Sequence, residues 1–303
     1  MCKNFALFLI MLLSFGKHSI AQSSFLSSPN AYLGQPLPGD TPKTFALGLL
    51  ADTGEFSANR TAISSDGKEI FYSTNKTWAN SINLKVKYFH FDGKKWVGPL
   101  VVAQRLSETS ISPDNNSLYF CSDDSAGVLF RSVKTKRGWS PPQRCLVRNY
   151  LIYDFMMAGN GNKYTASNGT WGSPNDANAW KFCVMAASDA DTGIQSLGSP
   201  PNSPGFNGDF YIARDESYMI ISRESDSLGA GLYISFRKKD NTWTDLTSLG
   251  PLINDGNAHR YGQFVSPDGK YMFYTRATTE ANCAIHWVRF DGLLESLRKN
   301  QGL

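Results

Sequence analysis

Apolar and polar residues alternate along short segments of this chain, and the segments are separated by turns rich in Asp, Asn, Gly and Pro. Alternation with a period of two residues, bounded by such turns, predicts β-strands throughout. One strand-turn-strand unit occurs five times, as ISSDGKEIFYS around Asp66, ISPDNNSLYFCS around Asp114, MAGNGNKYTAS around Asn160, IARDESYMIIS around Asp215 and VSPDGKYMFYT around Asp268. The chain is therefore a repeat protein.

The spacing of the five turns predicts the architecture. Successive turn positions lie 48, 46, 55 and 53 residues apart, which suits a four-stranded propeller blade. We predict an all-β fold, a single β-propeller of five four-stranded blades. The long span 168–209 leaves six blades as the alternative. The segment PKTFALGLL, 42–50, precedes the first blade. It is expected to complete the last blade, which closes the ring and covers the open sheet edges.

Two recurring residue types have a structural interpretation. Within such turns Asp bonds its own backbone and Gly accepts a positive φ, so the acids Asp66, Asp114 and Asp268 are expected to be turn residues. Tryptophans recur after the third strand of three repeats, and recurrence at equivalent positions favours packing between blades; these are Trp96, Trp139 and Trp243.

The N-terminal segment predicts export. Lys3 is followed by an apolar run, 5–15, and then by Ser-Ile-Ala at 19–21, a small-x-small cleavage pattern. We divide the chain into a signal peptide, 1–21, and a propeller domain, 22–303, and expect a periplasmic or extracellular location in a bacterium. No later stretch reaches the roughly 20 apolar residues of a spanning helix, so we expect a soluble protein without a membrane span.

Charge and cysteine content narrow the classes of partner. The formal net charge of +4 falls to +2 without Lys3 and Lys17, and the basic residues form no dense patch, so nucleic acid is not an expected partner. The cysteines that remain after export match no metal motif. These cysteines could form one or two disulfides or remain buried free thiols, and the sequence leaves both alternatives open. The four residues are Cys121, Cys145, Cys183 and Cys283.

Metal ligands and cofactor motifs are sparse. The three histidines after residue 21 are His90, His259 and His286, and two of them fall in outer strands, so no metal site and no cofactor are expected. The pair Asp123–Asp124 lacks the alternating oxygens of a calcium loop. Calcium binding therefore stays possible, but no sequence motif supports it.

The SPDGK turn units and the segment SRESDSLGAGLYIS, 222–235, resemble the repeats of the TolB-like β-propeller family, which is related in its repeats to WD-repeat propellers. The resemblance covers essentially the whole chain after the signal peptide. The glycine run of that segment is diluted by residues 224–228, where this sequence departs from the family pattern. The resemblance implies an exported propeller that often serves as a protein-binding or envelope module, and it implies no single activity.

Charged residues are expected at one mouth of the propeller's central channel. The start of each innermost strand and the end of the next strand open at the same face, opposite the turns. Counting back six residues from each turn position gives Arg60, Glu108, Asp154, Asp209 and Gly262. The second strands add Asp123, Arg223, Glu224 and Arg276 to that rim. These charges could simply pair across the axis of a wet channel.

A polar ligand at the mouth is the alternative to such pairing. Gly262 is expected to leave a gap in the ring, next to the donors and aromatic rings of His259, Arg260, Tyr261 and Gln263. That mixture suits a sugar or an acidic peptide. The loop GTWGSPNDANAW, 169–180, is expected to extend over the mouth. Its Trp171 and Trp180 could stack on a sugar ring or pack against the rim.

Catalysis is the second hypothesis. Five-bladed propellers host glycoside hydrolases, which need two carboxyl groups across the scissile bond, and Glu108, Asp154 and Asp209 could supply them. The sequence contains no GxSxG elbow, phosphate-binding loop or HExxH motif. We therefore predict a monomeric binding or scaffold module of the bacterial envelope, with a protein or an oligosaccharide as its ligand and a glycosidase-type enzyme as the alternative.

Overall fold

The computed structural model describes residues 25–122, 127–224 and 229–303. These residues form five antiparallel sheets, each with a path of four strands, arranged as the blades of a β-propeller. The prediction of five blades is confirmed, because the span 168–209 contributes strands to the third blade and not a blade of its own. The predicted signal peptide and Asp123 lie outside the described residues. Within those residues, every helix is too short or too polar to cross a lipid bilayer.

The strands follow the chain in blade order. Blade 1 contains β2 (Phe56–Ile63), β3 (Glu69–Asn75), β4 (Lys85–Phe91) and β5 (Trp96–Gln104); blade 2 contains β6 (Ser107–Ile111), β7 (Ser117–Cys121), β8 (Val128–Thr135), β9 (Gly138–Trp139) and β10 (Gln143–Val147). Blade 3 contains β11 (Tyr153–Met157), β12 (Lys163–Ser167), β13 (Lys181–Met185) and β14 (Ile194–Ser196); blade 4 contains β15 (Phe210–Ile212), β16 (Tyr218–Glu224), β17 (Ala230–Phe236) and β18 (Thr247–Ser248).

Blade 5 closes the ring with a strand from the beginning of the chain. It contains β19 (His259–Val265), β20 (Tyr271–Ala277), β21 (Ala284–Arg289) and β1 (Lys43–Thr44), and a helix α1 (Asp291–Asn300) follows β21. Three 3-10 turns lie at Tyr32–Gly34, Ala177–Ala179 and Glu280–Asn282. Strand β1 pairs antiparallel with β21, so the prediction that 42–50 completes the last blade is confirmed. The inner strand β19 also contacts β2, which joins the last blade to the first.

The turn residues adopt the predicted local hydrogen bonds. The Asp66 carboxylate accepts from the amide of Lys68 at 3.1 Å, and the Asp268 carboxylate accepts from the amide of Lys270 at 3.2 Å. The Asp114 carboxylate accepts from the amide two residues on at 3.0 Å. Because each acid bonds its own turn, the structural interpretation of these three residues is confirmed.

Aromatic rings fill much of the space between blades. The ring of Trp139 in blade 2 packs edge-on against Phe71 of blade 1, with centroids 5.6 Å apart. Trp243 is 6% exposed and belongs to the main apolar core. The indole of Trp96 donates to the carbonyl of Asn30 at 2.7 Å and packs beside Phe91. Packing between blades is therefore confirmed for Trp139, whereas Trp96 packs against its own blade and the segment before it, and Trp243 is a core residue.

The four cysteines after the predicted signal peptide are free thiols, so none of the disulfides left open by the sequence forms. Cys121, Cys183 and Cys283 are buried, and Cys145 is half-buried. Burial raises the pKa of the Cys183 thiol to about 12 and that of the Cys283 thiol to about 11. The buried three behave as small core residues that stay in the unreactive thiol form.

The inner strands carry a recurring irregularity. In β2, β6, β11 and β19 the pairing register with the neighbouring strand shifts near the mouth of the channel, as in a β-bulge. One residue of each shifted segment has a positive φ of 50° to 62°; these residues are Asn59, Glu108, Asp154 and Gly262. A bulge re-aims the side chains around it, so these four positions determine which groups face the channel.

Candidate functional site at the channel mouth

Four charged side chains meet inside the channel. Arg60, Glu108, Asp154 and Asp209 come from blades 1 to 4, and their exposed fractions are 0%, 3%, 0% and 7%. The guanidinium of Arg60 forms an ion pair with Asp154 and is attracted by the carboxylates of Glu108 and Asp209. The sequence placed these residues on a rim, whereas the structure buries them as one cation among three carboxyl groups.

Arg60 and Asp154 are also held by the backbone. Arg60 donates to the carbonyl oxygens of Phe155 at 3.1 Å and Phe210 at 2.8 Å. The second carboxylate oxygen of Asp154 accepts from the amide of Phe210 at 2.6 Å. Pairing and these hydrogen bonds together offset the cost of removing both charges from water. The pair therefore links blades 1, 3 and 4 across the channel.

Asp209 is buried without an equivalent ion pair. Burial raises the pKa of its carboxyl group, and the nearby charges of His259 and Arg60 only partly oppose that rise. The backbone carbonyl of Asp209 accepts from the side-chain amide of Gln263 at 2.9 Å, and the same amide donates to the carbonyl of Ile220 at 2.9 Å. Gln263, a predicted ligand-binding residue, thus lies buried as a bridge from the inner strand of blade 5 to the first two strands of blade 4.

The predicted gap at Gly262 is filled by backbone. A Cβ atom at this position would lie 2.5 Å from the carbonyl carbon of Asn59 and 2.7 Å from the amide nitrogen of Arg60. Only glycine permits that approach together with a φ of +61°. The expectation of an open gap was therefore wrong, because the first and last inner strands close against each other there.

A cavity of about 450 Å³ opens at the face that the sequence identified as the mouth. We call it the mouth pocket; the lining residues that matter below are Phe56, Asn59, Trp78, Glu108, Tyr153 and Tyr261. They come from the starts of four inner strands and from the loop after β3. Among the described residues that line it, Glu108 is the sole carboxylate.

Two tyrosines line one side of the mouth pocket, and the predicted Trp180 packs behind one of them without lining the pocket. Burial raises the pKa of Tyr261 well above its usual range, and Cys283 together with the carboxyls of Asp209 and Glu108 adds to that rise. The phenol of Tyr261 therefore stays protonated. On the neighbouring side the ring of Trp180 packs edge-on against Tyr153 at 6.0 Å. The loop carrying Trp180 thus reaches the mouth, as predicted.

Trp78 is a lining residue that was not predicted. Its side chain is 49% exposed, and its ring packs edge-on against Phe56 at 5.9 Å. The loop that carries it is anchored because Glu280 accepts hydrogen bonds from the amide of Trp78 at 2.5 Å and the hydroxyl of Thr77 at 2.8 Å. The signal that could have found Trp78 is its place directly after the second strand of a blade, at the mouth face.

Other predicted site residues lie away from the mouth pocket. Arg260 and Arg276 donate to the carboxylate of Asp255 at 2.8 Å and 3.0 Å. Burial alone would raise the pKa of Asp255, but these two guanidinium groups lower it. Arg223 is exposed at the end of β16. None of these arginines lines the mouth pocket.

Two further predicted residues lie close to the mouth without lining the pocket. His259 packs edge-on against Tyr261 at 5.3 Å. Trp171 is 46% exposed, and its indole donates to the carbonyl of Ala179 at 3.0 Å, within its own loop. A role of Trp171 and Trp180 in stacking on a sugar stays a prediction.

The charged cluster separates the mouth pocket from a second cavity at the other end of the channel. That cavity, about 390 Å³, is lined by Arg60 and by apolar residues such as Met156, Tyr211 and Phe264. Because Arg60 lines one cavity and Glu108 the other, the buried ions stand between them. The channel is therefore blocked near its middle by paired charges.

Metal binding finds no support in the part of the chain that the structure describes. No group of three or more His, Cys, Asp or Glu side chains in 25–122, 127–224 and 229–303 is placed to hold a metal ion. The pair Asp123–Asp124, for which calcium was left open, falls outside these ranges. Calcium therefore stays a prediction.

Comparison with known proteins adds to the fold and not to the activity. No protein-family model matches the chain, and no curated protein matches it. Solved structures similar to it include TolB from Acinetobacter baumannii, with 12% identity and a TM-score of 0.48 over 75% of this chain and 53% of that chain. A putative TolB from Agrobacterium tumefaciens has 17% identity and a TM-score of 0.42, over 64% and 62% of the two chains.

A periplasmic gluconolactonase from Pseudomonas aeruginosa is similar at 13% identity with a TM-score of 0.41, over 72% of this chain and 64% of that one. The chain thus spans about half to two thirds of the length of these three solved chains. The predicted propeller architecture is confirmed by the five sheets of the structure, and TolB proteins are among the solved structures similar to this chain. Alignments at this identity carry no argument about substrate, partner or activity.

Proposed function

We propose that this protein is an exported binding module of the bacterial envelope that holds a glycan in the mouth pocket. The observation that carries the proposal is the composition of that pocket. An exposed Trp78 ring, the two phenols of Tyr153 and Tyr261 and the carboxylate of Glu108 surround a cavity of about 450 Å³. A cavity of 300–1,000 Å³ with aromatic walls and a few polar groups is typical of small-ligand sites.

The chemistry of the walls favours a sugar over a purely apolar ligand. Aromatic faces pack against the C–H surface of a sugar ring, while phenols and carboxylates bond its hydroxyl groups. Glu108 is 3% exposed, so a hydroxyl bound to it would be well shielded from water. Such shielding strengthens hydrogen bonds to charged groups. Export is the expectation from the N-terminal segment, and it would bring the protein into contact with envelope glycans.

Glycoside hydrolysis has less support than binding. It requires two carboxyl groups beside one ligand, and of Glu108, Asp154 and Asp209 only Glu108 lines the mouth pocket. Asp154 already pairs with Arg60 and with the amide of Phe210. A hydrolase would lose turnover and keep binding in Glu108→Gln, whereas a binding module has no turnover to lose.

A protein ligand is the second candidate for the same face. Trp78 and Ile82 are 49% and 65% exposed on one loop beside the pocket. Exposed apolar groups next to a pocket are frequent in protein interfaces. A protein partner would contact both residues, whereas a glycan held in the pocket would contact only Trp78. Ile82→Ala therefore separates the two candidates.

The test is a thermal-shift screen against envelope glycans, plant and host oligosaccharides and calcium. A ligand at 100 times its Kd adds about 2.7 kcal/mol of stability. We expect an oligosaccharide to shift the wild type and Ile82→Ala equally and to leave Trp78→Ala unshifted. An equal shift in Trp78→Ala, or no shift with any glycan, would overturn the proposal. A protein partner lost in both loop variants would favour the second candidate.

A further inference from the structure

One space between blades is filled differently from the others. In blades 1, 2 and 4 the segment after the third strand supplies a tryptophan: Trp96, Trp139 or Trp243. In blade 5 helix α1 follows the third strand, and Arg298 of that helix lies over the ring of Phe236 in blade 4. In blade 3 the third strand, β13, is followed by AASDADTG, 186–193, which contains no large side chain.

A cavity of about 370 Å³ lies between blades 2 and 3. We call it the inter-blade cleft; the lining residues used below are Tyr119, Arg131, Arg144, Cys145, Lys163 and Asp189. The first four come from β7, β8 and β10 of blade 2, and the last two from blade 3. The cleft is thus separate from both ends of the central channel, and the function proposed above does not use it.

The charge of the inter-blade cleft is positive. Lys163 pairs with Asp189 and also donates to the carbonyl of Ala187 at 2.9 Å, so its position is fixed. Its side chain is 15% exposed, whereas that of Asp189 is 71% exposed. Asp189 therefore meets Lys163 from the solvent side.

Arg131 and Arg144 supply the excess charge. Among residues 25–122, 127–224 and 229–303, neither guanidinium has a carboxylate partner in an ion pair. Burial raises the pKa of Tyr119, and the adjacent Arg131 partly opposes that rise, which places the guanidinium beside this phenol in the cleft lining. With Asp189 balancing Lys163, the cleft keeps two positive charges without a paired carboxylate, both carried by arginines that are exposed to solvent at its opening.

We propose that the inter-blade cleft binds a phosphate or sulfate monoester. Arginine side chains offer paired N–H donors that match the oxygens of such an anion. A cavity of about 370 Å³ exceeds the volume of a single inorganic anion, so it has space for the group that carries the ester. The class of ligand is therefore a phosphorylated or sulfated small molecule or sugar.

The first arm of the test is calorimetric titration of the chain with glucose 6-phosphate, inorganic phosphate, inorganic sulfate and glucose. Glucose 6-phosphate is expected to bind and glucose not to bind. Arg131→Gln is expected to weaken binding at least about tenfold, since it removes one charge-assisted contact. Arg137→Gln is the matched control, because Arg137 is an exposed cation of the same blade that does not line the cleft.

The second arm uses Cys145, whose half-buried free thiol lines the cleft. The other three thiols of residues 25–122, 127–224 and 229–303 are buried, so in the chain without its predicted signal peptide the neutral reagent iodoacetamide should modify Cys145 first. Bound glucose 6-phosphate is expected to slow this modification at least severalfold, measured by peptide mass spectrometry. In Arg131→Gln the same ester concentration should leave the rate almost unchanged.

Each outcome decides the proposal. Tighter binding of glucose 6-phosphate than of phosphate or sulfate supports an ester site, and equal binding of phosphate assigns the cleft to the free anion. The proposal is overturned if no anion binds, if Arg131→Gln and Arg137→Gln weaken binding equally, or if bound ester leaves the Cys145 rate unchanged. Trp78→Ala should have no effect in either arm, so failure of the ester site is distinct from failure of the glycan site.

Discussion

Neutralising Asp154 probes the buried ion pair that blocks the channel. Asp154→Asn removes one negative charge and keeps the shape of the side chain. The φ of +55° at this position is one that Asn adopts readily, so backbone strain does not confuse the result. The asparagine carbonyl can still accept from the amide of Phe210. The variant therefore isolates the charge that faces Arg60.

The magnitude follows from burial. Both partners are fully buried, and removing one partner of such a pair typically costs 3–5 kcal/mol. Glu108 and Asp209 still attract Arg60, which places the expected loss near the lower limit, about 3 kcal/mol. With roughly 2.1 cal/mol/K of unfolding entropy per residue over 303 residues, that loss lowers Tm by roughly 5 °C.

Urea denaturation followed by circular dichroism measures the effect, with Asp215→Asn as the control. Asp215 is an exposed turn acid, and Asn preserves its turn hydrogen bond, so the control should stay within about 0.5 kcal/mol of the wild type. Arg60→Met should cost more than Asp154→Asn, because one guanidinium serves three carboxyl groups. Equal stability of Asp154→Asn and the control would refute this reasoning.

Three further outcomes are expected. Gly262→Ala should lower the free energy of unfolding, measured by urea denaturation, by at least about 2 kcal/mol, because the added Cβ would meet the backbone of Asn59. Gly161→Ala, with open space around the added Cβ, should lower it by about 1 kcal/mol. Burial alone would raise the pKa of Glu55, but hydrogen bonds from lysines outweigh burial and lower the pKa from 4.5 to about 2. Up to about 3 kcal/mol of stability should therefore disappear as the pH falls from 4.5 to 2, and Glu55→Gln should abolish that loss. Because the pKa of Asp209 is raised, the free energy of unfolding should fall as the pH rises above 3.8. Asp209→Asn should remove this dependence on pH, and an unchanged dependence would show that another group causes it.

The architecture could be predicted because the repeats carry local signals. The side chain of each turn acid accepts a hydrogen bond from the backbone of its own turn, so neighbouring residues determine the turns and the strands around them. Closure by 42–50 could be inferred because one blade lacked a fourth strand. The turns depend on neighbouring residues, whereas closure joins distant segments and was inferred from the missing strand alone.

The inner-strand positions were predictable almost to the residue. Counting back from the turns found the positive-φ position in Glu108, Asp154 and Gly262. In β2 the irregular segment is longer and the positive φ falls on Asn59, next to the counted Arg60. The count found residues that face the channel and did not predict the bulges, because an extra residue in a bulge has no clear sequence signal.

Pairing of charges across the channel axis was one of the two alternatives drawn from the sequence, but the depth of their burial and the identity of each partner could not be predicted. Arg60 is long enough to reach Asp154 and Phe210 on distant blades, and that reach depends on packing across the whole ring. Arg260 and Arg276 were placed at the mouth, but Asp255 on a loop attracts both. Trp78 was missed because its loop has no hydrophobic periodicity, so only its position after the second strand of blade 1 could have indicated it.

The most direct test of the mouth pocket is the ¹⁹F spectrum of protein labelled with 5-fluorotryptophan, recorded with and without an oligosaccharide from the screen. The chain has seven tryptophans, and Trp78→Phe assigns the signal of Trp78. We expect that signal to move on binding while those of the core residues Trp139 and Trp243 stay in place. A Trp78 signal that does not move while the ligand binds would contradict a glycan site at the channel mouth.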